Sequence, residues 1–74
     1  MKIRGVIDYL RDKYGETWQY DRRAYQWRQI DGTLYAHKVL TGKDFEGEYT
    51  GQWTMCLYDS SNERPPEWLP FSGG

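Results

Sequence analysis

The pair Asp31-Gly32, set between two stretches of alternating polar and aromatic residues, constrains this chain more than any other feature. Asp-Gly suits the central positions of a two-residue type I′ turn, whose twist matches that of antiparallel strands. A hairpin centred there opposes Ile30 to Thr33, Arg28 to Tyr35, Gln26 to His37 and Ala24 to Val39. Side chains alternate along a strand, so this register also sorts the faces. Tyr25, Trp27, Leu34, Ala36 and Leu40 share the more apolar face, expected to be the buried one. Upstream, Trp18 and Tyr20 fall on even positions while Tyr25 and Trp27 fall on odd ones. That slip of phase requires a turn or bulge at 21–23.

Residues 2–14 carry a different period. Ile3, Val6, Ile7, Leu10 and Tyr14 recur at intervals of three and four, forming one apolar stripe of a helix. Gly15 stands where a left-handed C-terminal cap belongs. Residues 41–48 read as a glycine-containing loop. Residues 49–58 read as a last strand with Trp53, Met55 and Leu57 on one face and Thr54, Cys56 and Tyr58 on the other. Beyond Asp59, the prolines Pro65, Pro66 and Pro70 interrupt the pattern, and Glu67–Phe71 is expected to dock irregularly on the core. The expected fold is α+β: an N-terminal helix on a three- to four-stranded antiparallel sheet, with an irregular C-terminal docking segment. One domain over residues 1–71 and a frayed tail over 72–74 follow, since 74 residues leave no room for two cores.

The side-chain inventory narrows the chemistry. A net charge of −1 argues against indiscriminate binding to a polyanion. One cysteine, Cys56, allows no internal disulfide and no thiolate metal cluster. His37 with Cys56 forms the one Cys–His combination, and both fall on the face away from the helix. A lone strand cysteine more often packs as a small hydrophobe than acts as a nucleophile. The alternate carboxylates Asp44, Glu46 and Glu48 lack the spacing of a calcium loop, and no phosphate-binding glycine loop is present. No catalytic residue, metal site or cofactor is assigned. No membrane span is expected, because no apolar run approaches about 20 residues. The expected location is cytoplasmic.

Two surface sets remain. Asp44, Phe45, Glu46 and Glu48, joined by Trp68, combine aromatic anchors with carboxylates, as suits a protein partner with a basic or nucleic-acid-binding surface. Arg22, Arg23, Arg28, Tyr35 and Lys38 form a basic-aromatic set of the kind that holds single-stranded nucleic acid. The first set supports the leading expectation: a small non-enzymatic interaction module, of the type encoded by phages and mobile elements to inhibit a host nucleic-acid-handling or defence complex. The second set supports the alternative, a single-stranded nucleic-acid binder. A third expectation is pairing of an exposed last strand with a second copy.

Overall fold

The structure is a computed structural model that describes residues 3–15 and 17–74. Helix α1 (Ile3–Tyr14) precedes strands β1 (Trp18–Asp21), β2 (Gln26–Gln29), β3 (Leu34–Leu40), β4 (Trp53–Asp59) and β5 (Glu67–Gly73). The strands form one antiparallel sheet in sequence order, β1-β2-β3-β4-β5. The sheet therefore has five strands where three to four were expected. The fifth is the segment expected to be irregular. Its own alternation explains the difference. Glu67, Leu69 and Phe71 share the helix side of the sheet, while Trp68 and Pro70 share the other. Pro70 has no N–H to give to a ladder, and the β4–β5 register shifts between Thr54 and Cys56, opposite it. The proline is accommodated at a bulge in an edge strand instead of ending the sheet. Ser72 and Gly73, expected to fray, continue the ladder opposite Thr54 and Trp53.

α1 packs on one face of this meander. Val6 and Leu10 are fully buried against Trp18, Trp27, Ala36, Met55, Leu57 and Leu69. Ile7 and Tyr14 are half-buried beside them, as the stripe requires. Tyr9, outside the expected stripe, also packs inward and meets Phe71 edge-on at 5.2 Å. The expected start at Lys2 and the side chain of Ile3 lie outside the described residues. Gly15 closes the helix at φ +69°, its N–H donating to the Arg11 carbonyl at 2.9 Å. Gly5 is a different case. It sits within the helix, and a methyl added there would meet nothing within 4 Å. Gly5→Ala is therefore expected to stabilise the fold by about 0.5–1 kcal/mol, seen as a raised urea midpoint with an unchanged slope.

The central hairpin keeps the expected register: Gln26 faces His37, Trp27 faces Ala36 and Arg28 faces Tyr35. Its turn is not type I′. Neither Asp31 nor Gly32 has positive φ, and Leu34 N–H donates to the Gln29 side-chain oxygen at 3.3 Å. A side chain has replaced a ladder bond, so the turn opens without moving the register. Two expected inward residues are also displaced. Tyr25 belongs to a four-residue turn at 22–25, is 74% exposed and has φ +53°. With that turn, Tyr20 and Trp27 face one another across β1 and β2, their rings 4.6 Å apart. Leu40 stays 52% exposed. A 12-residue helix is about 18 Å long and 10 Å wide, too narrow to cover five strands spaced about 4.8 Å apart.

α1 is tied to β5 by a polar clamp. Glu67 accepts from Tyr14 Oη at 2.8 Å and from Lys13 Nζ at 3.1 Å. The Tyr14 bond, then the Lys13 ammonium, holds the Glu67 carboxyl below its ordinary pKa. A depressed folded pKa adds stability above the unfolded value, about 4.3, and that stability is lost as pH falls through the folded one. Acid unfolding monitored by far-UV circular dichroism should show this loss below about pH 4 in the parent chain. Glu67→Gln should remove that part of the pH dependence, with a small effect at pH 7 because the pair is partly solvated.

Candidate functional site

The structure divides the residues singled out from sequence among three places: a projecting loop, the uncovered sheet face, and a notch between the β1–β2 turn and β3.

The loop lies at the end of a ribbon that continues β3 and β4 beyond their last pair, Leu40–Trp53. Thr41 N–H donates to Gln52 O, whereas Thr50 N–H donates to Gly42 O and Lys43 bridges Tyr49. The register shifts by one residue at Gly51, whose φ of +89° is the left-handed conformation of a glycine bulge. At the tip, Asp44 Oδ1 accepts from Glu46 N–H at 2.9 Å and Glu48 N–H at 3.0 Å. Asp44 N–H donates to Glu48 O, and Gly47 N–H, at φ +85°, to Asp44 O. Asp44 is thus the brace of the loop. The signal for that role was local: an Asp three residues before a Gly is common in turns. What the brace presents is Phe45, 98% exposed, flanked by Glu46 and Glu48. Lys43 Nζ lies 4.9 Å from the Tyr49 ring and stiffens the stem. Trp68 does not join this group. It faces Cys56 on β5, three residues along β4 from the base of the ribbon at Trp53, or about 10 Å.

The uncovered face holds Arg28, Tyr35, His37, Cys56, Tyr58 and Trp68. Arg28 and Tyr35 are cross-strand neighbours, as expected. The rings of Tyr35 and Tyr58 stack at 5.4 Å, and those of His37 and Tyr58 at 4.8 Å. Burial first, then the Cys56 thiol, holds the Tyr58 phenol above its ordinary pKa. Cys56 is 3% exposed. It is the register partner of His37, yet its thiol donates to Leu57 O at 3.8 Å while His37 Nδ1 lies 3.1 Å from Lys38 O. Among the described residues no thiol–imidazole hydrogen bond forms, and no three or more His, Cys, Asp or Glu are placed to hold a metal ion. No helix among the described residues is long and apolar enough to cross a membrane.

The basic-aromatic set is scattered. Arg22 and Arg23 lie on the β1–β2 turn, whose backbone is capped by Asp21 Oδ1 accepting from Arg23 N–H and Ala24 N–H. Arg28 pairs with Asp21 Oδ2 at 3.6 Å. Lys38 belongs to the opposite side of β3 from Tyr35, with Nζ 4.4 Å from the Trp53 ring centroid. Five residues that sequence spacing grouped as one strip therefore occupy a turn and both faces of the sheet.

The notch was not visible in the sequence. It is a depression of about 420 Å3 walled by Tyr20, Ala24, Tyr25, Gln26, Trp27, His37 and Lys38, residues from three segments with no shared local pattern.

Comparison of the chain with family models, with curated proteins and with solved structures gave no match.

Proposed function

We propose that the chain is a protein-binding module that acts by occupying a partner's surface. The projecting ribbon tip is its docking element. One observation carries this reading: Phe45 is 98% exposed on a loop whose backbone is already fixed by the Asp44 bonds. An aromatic ring held in water by a pre-formed loop contributes nothing to the monomer's core. It enters a partner's pocket with little ordering cost. Glu46 and Glu48 beside it favour a partner with a basic surface, the kind used to hold nucleic acid, and would speed encounter with it. Occupying such a surface inhibits it, which fits the reading of an inhibitor of a host nucleic-acid-handling or defence complex.

The test is site-specific photocrosslinking in the producing cell, with the reactive residue at position 45 and, as a control, at the exposed Ile30. The expected result is one discrete adduct from position 45, none from position 30, and loss of the adduct at high salt. Adducts of equal yield from both positions, or none from 45, reject the tip as the docking element.

A further inference from the structure

The aromatic rings of the uncovered face form a wall with one open side, and this feature is independent of the docking reading above. Tyr58 stacks on Tyr35 at 5.4 Å and on His37 at 4.8 Å, while Tyr35 and His37 lie 6.2 Å apart with their planes within 24°. Rings on opposite faces of a third would be separated by at least about 7 Å, twice the contact distance between carbon atoms. Tyr35 and His37 therefore stand side by side, and Tyr58 covers both from the β4 side. The other side of the wall looks toward β2, where Arg28 is the cross-strand partner of Tyr35 and Gln26 that of His37. A depression of about 280 Å3 lies there, and Gln26, Arg28, Gln29 and Tyr35 are among the residues that line it.

The polar groups around this depression define what it can hold. Arg28 is its one cation, and no carboxylate among the described residues lines it. Arg28 meets Asp21 at 3.6 Å, longer than the roughly 2.7–2.9 Å of a charge-assisted hydrogen bond, so its fork of donors remains available. The Gln29 amide oxygen is engaged by Leu34 N–H at 3.3 Å, so that amide can serve a ligand only through its N–H groups. Gln26 offers a donor and an acceptor. A flat wall selects a flat ring. A guanidinium beside that wall selects two neighbouring acceptors on the ring's edge, which in guanine are O6 and N7. A single cation is too little to hold a chain of phosphates, so the base is what this site can read.

We propose that this depression binds the base of a guanine nucleotide, either free or within a single strand. The base stacks on the open side of Tyr35, Arg28 donates to its O6 and N7, and the Gln26 amide oxygen accepts from its N–H groups.

The test is a titration of the 15N-labelled chain, read at the Arg28 Nε–H and the Gln26 and Gln29 side-chain amides. The ligands are GMP, AMP, and two single-stranded heptamers of thymidine with dG or dA at the centre. GMP should move these resonances saturably, and AMP should bind about tenfold more weakly. Arg28→Lys, at an exposed side chain, should bring GMP down to the level of AMP, because an ammonium cannot make the paired contact. Tyr35→Ala should weaken GMP and AMP alike by about tenfold, with the spectrum still that of a folded chain. Raising salt from about 50 to 200 mM should weaken GMP by no more than about threefold, as at most one phosphate contact predicts. Tighter binding of the dG heptamer than of GMP identifies the strand as the source, and binding no tighter than GMP identifies the free nucleotide. The proposal fails if GMP leaves the Arg28 and glutamine resonances in place, if AMP binds as well as GMP, or if Arg28→Lys keeps the preference for GMP.

Discussion

Leu10→Ala is expected to bring the chain close to unfolding at room temperature. Leu10 is fully buried on α1, against residues drawn from every strand of the sheet. Truncating such a leucine costs about 2–5 kcal/mol, from lost transfer energy and the cavity left behind. A domain of 74 residues has about 4–11 kcal/mol in total. The core is one small cluster built around a few large side chains, and α1 is attached on one face only, so little can collapse into the gap. Thermal unfolding of the variant should start near ambient temperature with a shallow transition. Leu40→Ala, at an exposed strand position, should fall within about 0.5 kcal/mol of the parent. If Leu10→Ala proves as mild as Leu40→Ala, the helix is not part of the cooperative core.

Phe45→Ala is expected to abolish partner capture while leaving the unfolding curve unchanged. The ring touches too little of its own chain to stabilise it, so stability should move by less than about 0.5 kcal/mol. A central aromatic anchor carries about 2 kcal/mol or more of an interface, a loss of at least about thirtyfold in affinity. Glu46→Lys with Glu48→Lys should act differently. The flanking charges mainly set the association rate, so the loss should appear in the on-rate and shrink with added salt. Asp44 is a poor choice for charge reversal: its carboxylate holds two loop amides, and a change there would confound docking with loop shape. Surface-plasmon kinetics against the crosslinked partner separates the cases. Full binding by Phe45→Ala would move the docking element elsewhere.

The division between what was legible and what was not follows range. The Gly15 cap and the Val6, Ile7, Leu10 and Tyr14 positions of the α1 stripe depend on residues close together in sequence, and they appear as expected. The β2–β3 register follows from a turn position and strict alternation, and the pairs Arg28–Tyr35 and Gln26–His37 form as expected. The type I′ turn failed because a competitor lay close at hand in space: the Gln29 amide reached Leu34 N–H before the backbone did. Tyr25 failed because Tyr20 and Trp27 both seek the core, and satisfying both required a turn that ejected their neighbour.

The chain on its own determined the helix, its apolar stripe, the phase of the strands and the exposure of Phe45, because each is settled by period and turn chemistry over a few residues. Only the tertiary structure decided that Glu67–Gly73 is a fifth strand and that Trp27, Tyr25 and Lys38 line one notch. Those outcomes depend on which strand lies beside which and where a ladder stops. They are set by burial and hydrogen bonding between segments far apart in sequence, which no local pattern records.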